Sequence, residues 1–334
     1  MNTLDMPCHT RRVLITGTAG FIGFHLARRL LDEGCEVFGI DNFNDYYSVQ
    51  LKRDRHVRLE RCEKYQWKPD DLTDLPALES VFRDFQPDCV VNLAAQAGVR
   101  YSITNPQAYQ KSNIEGFLNV LECCRHMPNQ PRLVYASSSS VYGGNKILPF
   151  SEEQAVDHPV SFYAATKKAN ELMAHCYSHL YGMQTIGLRF FTVYGPWGRP
   201  DMAMWLFADA MLNGRPIQVF NHGEMSRDFT YIDDIVSGIR ECIWSDHLSR
   251  YEVFNIGNHR SEKLMDMISL IAGELGVKNP KLELLPMQDG DVPATYASVD
   301  KLHAAVGYQP TTPISVGIPK FIRWFREYQG LVAP

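Results

Sequence analysis

The chain has 334 residues, a formal net charge of −5, and 45% hydrophobic against 21% charged residues. That balance belongs to a globular protein big enough for one large or two closely joined domains. It argues against nucleic acid as the main partner. No apolar run reaches bilayer length, and Met1 to Thr10 lacks the apolar centre of a secretory signal. The eight cysteines are scattered, with no Cys-x-x-Cys. They read as reduced thiols of a cytoplasmic protein rather than as disulfides or metal ligands.

Arg12 to Thr16 is a short β-branched run, read as a buried strand. It leads into Gly17-x-x-Gly20-x-x-Gly23. Phe21, Ile22, Leu26, Leu30 and Leu31 then recur at helical spacing, and Gly34 ends the helix. A second strand, Cys35 to Ile40, stops at Asp41. Strand, glycine turn, helix and strand make the unit that binds dinucleotides. Glycines let the backbone approach a pyrophosphate resting on the helix N-terminus. An acid about 20 residues on suits the adenosine ribose hydroxyls and repels a 2′-phosphate, so Asp41 favours NAD over NADP.

Phe43 to Glu60 is polar and basic and predicts a solvated helix with no site. Tyr65 to Lys68 is a short strand leading to Asp70-Asp71-Leu72, where the acid either touches adenine or caps the next helix. Leu75 to Phe85 reads as a helix. Cys89 to Ala95 reads as a strand whose small end residues suit close approach to a cofactor. Gln107 to Arg125 reads as one long helix containing Asn113. Arg132 to Ala136 is the next strand, and Ser137 to Ser140 follow it. Such alternation predicts an α/β fold, a Rossmann-like doubly wound parallel sheet. Ligands bind there at the carboxyl ends of strands, where the serines fall.

The helix from Ser161 to Tyr181 carries Tyr163 and Lys167 four residues apart, hence on one face. A phenol with a pKa of about 10 is a poor base at neutral pH. A lysine cation beside it favours the phenolate. After a strand from Thr185 to Phe191, the loop Thr192 to Pro200 is rich in Gly and Pro, and regular alternation ends. The expected division is a NAD-binding domain at 11–191 plus about 231–258, and a smaller C-terminal α/β substrate lobe at 192–230 and 259–330. Val253 to Ile256 is expected to return to the main sheet.

Taken together, Gly17-x-x-Gly20-x-x-Gly23, Asp41, Ala94-Ala95, Ser138 before Val141-Tyr142-Gly143, Tyr163-x-x-x-Lys167 and Arg227-Asp228-Phe229 form one ordered set. It resembles the extended short-chain dehydrogenase/reductase superfamily, in its sugar-nucleotide epimerase and dehydratase branch, over nearly the whole chain. The stretches Leu93–Ser102, Tyr135–Gly143, Tyr163–Glu171 and Arg189–Met202 are similar to those of UDP-glucuronic acid 4-epimerases. The resemblance implies NAD held by Gly17, Gly20, Phe21, Ile22, Gly23, Asp41, Asn42, Asp71, Leu72, Leu93, Ala94, Ala95, Asn113, Ala136, Tyr163 and Lys167. It makes Tyr163 the general base. Lys167 lowers its pKa and holds the nicotinamide ribose, and Ser138 completes the hydrogen bonding. Ser139, Ser140 and Thr192 face the sugar carboxylate, and Arg227 the diphosphate. Arg100, Arg199, Gln288 and Asp291 stand around the nucleotide. Related decarboxylases and dehydratases carry acids just after the catalytic Ser/Thr, where this chain has Ser139 and Ser140. The alternatives are a 4-epimerase of neutral UDP-hexoses, a UDP-glucuronate decarboxylase, and a NAD-binding regulator without chemistry. A homodimer built on the 107–125 and 161–181 helices is also implied.

Overall fold

The computed structural model describes residues 11–288 and 292–331. Four strands and their crossover helices come first: β1 Arg12–Thr16, α1 Phe21–Asp32, β2 Glu36–Ile40, α2 Val49–Leu59, β3 Tyr65–Lys68, α3 Leu75–Phe85 and β4 Cys89–Asn92. Two single turns, α4 Tyr101–Thr104 and α5 Pro106–Tyr109, precede α6 Gly116–His126. Then come β5 Arg132–Ser138, α7 Phe162–Tyr181 and β6 Thr185–Phe190.

Later strands are short: β7 Thr192–Tyr194, β8 Ile217–Val219, β9 Ser226–Arg227 and β10 Phe229–Tyr231. Around them lie α8 Ala203–Leu212 and α9 Ile232–Trp244. The chain ends with β11 Tyr251–Ile256, β12 Glu262–Lys263, α10 Leu264–Leu275, β13 Leu282–Leu284, α11 Asp300–Val306 and α12 Ile314–Tyr328.

The central sheet has seven strands in the order β11-β6-β5-β4-β1-β2-β3, all paired in parallel. Its inner strands β1, β4 and β6 are buried on both faces, as parallel sheets require, while the edge strand β3 is partly exposed. Val13 and Ile15 enter one core cluster, and Leu14, between them, enters the other. This is the two-residue side-chain period of a strand. The order reverses between β1 and β4, and that switch point opens the crevice used for ligands. As the sequence predicts, the 253–256 segment rejoins the sheet, pairing Tyr251–Ile256 with Thr185–Phe190.

The expected long helix at 107–125 is broken. Gln110–Glu115 is a π-helical turn between α5 and α6. An extra residue in such a turn shifts side chains out of regular α register. The rest of the lobe is built from three two-stranded pairs, β7 with β10, β8 with β13 and β9 with β12. These are too small to stand alone; α8 packs on α10, and α10 on α12.

Candidate active site

Strand ends of the sheet and the inner face of the lobe enclose a cavity of about 1140 Å³. A drug-sized pocket is about 300–1,000 Å³, so there is room for two large ligands.

One wall is backbone. Helix α1 begins at Gly20 with no side-chain cap. Its first N–H groups therefore remain available to an anion at the cavity. Gly17, at φ +79°, would place a Cβ 2.8 Å from Ala94 N, and a Cβ on Gly23 would stand 2.1 Å from Gly17 O. Asp41 accepts from Ala19 N at 3.0 Å and Phe43 N at 2.8 Å. Burial raises its pKa, against those bonds and the Lys52 charge. Asp71 binds Thr73 N and Oγ1 and Asn42 Nδ2. The cap of α3 is Asp74, so Asp71 does not cap that helix. Asp70 Oδ2 is a buried acceptor with no partner on the same wall. A glycine cradle, an uncapped helix start, an oriented carboxylate and an orphaned acceptor fit an adenine dinucleotide.

The chemical corner is carried by β5 and α7. Ser161 caps α7, accepting from Ala164 N at 3.1 Å, which points Tyr163 and Lys167 toward the end of β5. Lys167 Nζ donates to Ala136 O at 2.9 Å and lies 6.0 Å from the Tyr163 ring centroid. Burial brings its pKa down to about 8. Burial raises the Tyr163 phenol, opposed by a hydrogen bond with Ser138 and by the Arg199 charge. Arg199 thus adds a second cation near Tyr163, from a loop far from α7 in sequence. Ser138 Oγ accepts from Ser140 N at 3.2 Å and Ser140 Oγ at 3.0 Å. Beneath this corner, Glu171 takes Arg189 in two bonds of 2.8 and 2.9 Å and Ser137 Oγ at 2.7 Å. That buried pair fixes α7 against β5 and β6.

The lobe supplies Thr192, Arg199 and Arg227 to the cavity, and Ser139, Ser140 and Arg100 also line it. Arg199 Nε donates to Asp201 Oδ1 at 3.0 Å, and Tyr46 Oη to Asp201 Oδ2 at 3.2 Å. Burial pushes the Asp201 carboxyl up, but the Arg199 charge and hydrogen bonds outweigh it and its pKa is lowered. Of the predicted cofactor residues, Gly17, Gly20, Phe21, Ile22, Gly23, Asp41, Asn42, Asp71, Leu72, Leu93, Ala94, Ala95, Ala136, Tyr163 and Lys167 all line the cavity.

Three predicted residues do not join them. Asn113 does not line the cavity: its amide binds Gln96 N and O and Thr166 Oγ1, clamping the chain after β4 to α7. Gln288 does not line the cavity either, and Asp291 falls outside the described residues.

The 43–60 segment is not a solvated helix without a site. Asn44, Tyr46, Tyr47 and Lys52 line the cavity, and Lys52 and Arg55 are buried. Leu51, Arg55 and Leu59 share one buried stripe at four-residue spacing. A lone arginine in an apolar stripe was the available signal.

A model of the NAD dependent epimerase/dehydratase family matches residues 13–257. The chain is 51% identical to protein CapI of Staphylococcus aureus, over 95% of this chain and 99% of that protein. It is 46% identical to UDP-glucuronate 4-epimerase 4 of Arabidopsis thaliana, over 95% of this chain and 75% of that one. The crystal structure of UDP-glucuronic acid 4-epimerase from Bacillus cereus, in complex with UDP-glucuronic acid and NAD, superposes with a TM-score of 0.88 at 33% identity, covering 95% and 99% of the two chains. With its glycine cradle, its tyrosine–lysine helix and a family match across most of its length, the chain belongs to the NAD dependent epimerase/dehydratase family.

Proposed function

We propose that the protein catalyses reversible C4 epimerisation of UDP-glucuronate to UDP-galacturonate, with NAD as a recycled cofactor. The observation that carries this is the chemical corner. Tyr163, Ser138 and Lys167 meet where the backbone wall reaches the lobe, and hydroxyl residues Ser139, Ser140 and Thr192 line the same cavity. Kinship to named UDP-glucuronate 4-epimerases supports it.

Gly17, Gly20, Phe21, Ile22 and Gly23 would hold the cofactor diphosphate, Asp41 a ribose, and Asp70 and Asp71 the adenine end. When bound, NAD supplies a hydride acceptor regenerated within each turnover. The chain's own residues do the rest. Tyr163 removes the C4 hydroxyl proton and, after the ring has turned and C4 is reduced from its other face, returns a proton to the C4 oxygen. Lys167 and Arg199 supply positive charge around its phenolate. Ser138 orients the hydroxyl. Arg227 anchors the diphosphate by its guanidinium fork while the ring turns. Ser139, Ser140 and Thr192 hold the sugar carboxylate by charge-assisted hydrogen bonds. With hydroxyls rather than acids directly after Ser138, the carboxylate meets donors instead of like charge, which favours epimerisation over loss of carbon dioxide.

We also propose a cytoplasmic homodimer. Among the described residues, no helix is long and apolar enough to cross a membrane, and seven cysteines are free. Leu118, Leu172, Leu180 and Tyr181 are exposed on α6 and α7, the apolar surface a two-helix face of each copy would cover.

Incubation with UDP-glucuronate and no added cofactor, followed by NMR, tests the activity. UDP-galacturonate should appear. UDP-xylose instead would identify a decarboxylase, and turnover of UDP-glucose alone would sink the substrate assignment.

A further inference from the structure

Arg55 is fully buried, yet among the described residues it has no carboxylate within ion-pairing distance. Desolvating a guanidinium costs several kcal/mol, and apolar residues of similar volume often serve stability better. Apart from one bond to the nearby Tyr47, its donors converge instead on two remote segments. Nη1 donates to Ala19 O at 2.8 Å and to Tyr47 Oη at 2.8 Å. Nε and Nη2 both donate to Trp197 O, at 3.1 and 2.6 Å, and Nη2 reaches Gly198 O at 3.2 Å.

Both ends of this strut lie at a ligand wall. Ala19 is inside the glycine turn; its N–H is bound by Asp41 and its carbonyl by Arg55. At the other end, Trp197 sits at φ +62°, a left-handed conformation that a non-glycine residue adopts only when its surroundings hold it there. His25, from α1, bonds the preceding carbonyl, Pro196 O, at 2.9 Å. Three successive carbonyls of the lobe loop are thus held by the nucleotide half. The next residue is Arg199, whose charge reaches Tyr163 and whose side chain binds Asp201.

We propose that Arg55, aided by His25, is a positioning residue that couples the dinucleotide turn to the Arg199 loop, so that filling either ligand site tightens the other. This rests on the functional reading above. The planar fork resists shear between its acceptors, so ordering of the turn by a diphosphate is passed to the peptide planes at 197 and 198. Coupling of this kind is a shared free energy and must be reciprocal.

Titrating UDP calorimetrically into NAD-loaded and NAD-stripped protein tests it. In the parent, UDP should bind the loaded form about 5-fold or more tightly, the range of ordinary coupling energies. In Arg55→Met that ratio should fall to within about twofold of unity, whatever happens to melting temperature. Arg55→Lys should recover part of it. If Arg55→Met does not fold, His25→Leu should lower the ratio by a smaller factor. An equal affinity for both parent forms, or an unchanged ratio in the variants, overturns the proposal. UDP binding by no form sinks the functional reading itself, and the coupling with it.

Discussion

The two walls of the cavity are made of different material. On the nucleotide side, Gly17 to Gly23 and Leu93 to Ala95 present glycine backbone, alanines and the uncharged side chains of Phe21, Ile22 and Leu93, each segment fixed at the end of a strand in one sheet. On the lobe side, Arg199, Arg215, Phe220 and Arg227 reach in from loops and two-stranded pairs. A backbone wall is shaped by what is missing, so adding one carbon damages it. A side-chain wall is shaped by what reaches in, so truncation weakens one ligand and leaves the frame standing.

The largest expected effect sharpens that contrast. Gly23→Ala puts a Cβ 2.1 Å from Gly17 O and 2.8 Å from Gly17 C, both backbone atoms. The turn must shift, so the purified protein should emerge from gel filtration without bound NAD. Normal NAD content would break the backbone-wall account.

Tyr163→Phe lies on the seam between the walls. General acid–base groups contribute about 10²–10⁴-fold, and turnover of UDP-glucuronate should fall by that much with NAD and UDP binding intact. Retained turnover would remove Tyr163 from the mechanism.

Lys167 gives a pH test with two opposite signs. Its folded pKa, about 8, lies below the unfolded value of about 10.4. Between those values the unfolded chain binds the extra proton, so this group's contribution makes stability rise with pH. Below about 8 the buried ammonium costs roughly 3 kcal/mol. Lys167→Met should therefore gain relative to the parent in urea melts at pH 7, offset by the lost bond to Ala136 O, and lose that advantage by pH 10. Activity that needs the cation runs the other way, falling as pH rises through about 8. A gap between parent and variant that stays constant from pH 7 to 10 would contradict the buried charge.

Arg227→Met probes the side-chain wall. A hydrogen bond to a charged group is worth about 1.5–3 kcal/mol, so KM for UDP-glucuronate should rise by about 10- to 100-fold. Turnover at saturation should hold within a few-fold, and NAD content should not change. Loss of NAD from this variant would join the two walls more closely than described. The smallest effect on the site is expected from Leu172→Glu, on a residue 57% exposed. Sedimentation should show monomer in place of dimer, with little change in NAD content.

The same contrast explains what could be read from the sequence. Strands, the glycine turn and the Tyr163–Lys167 face follow from local periodicity, and the parallel return of β11 follows from an apolar run. What escaped depends on contacts between distant segments. Arg55 looked solvated because its acceptors, Ala19, Trp197 and Gly198, lie far off in sequence. Asn113 is expected beside the cofactor; its amide instead bonds Gln96 and Thr166 from within a π-turn, contacts with no local sequence signal. The relation of Tyr163 to Arg199, from a loop 36 residues on by sequence numbering, has no local signal at all.

Strand β11 also has a meaning for the newborn chain. It closes the sheet beside β6, but only after the chain has left to build much of the lobe. A ribosome making about 5–20 residues per second therefore exposes the open edge of β6 for several seconds before residues 251–256 emerge to cover it. Unpaired edges of that kind recruit foreign strands. Truncations ending between β6 and β11 should aggregate, and rare codons in that interval should lower the soluble yield of an otherwise unchanged protein.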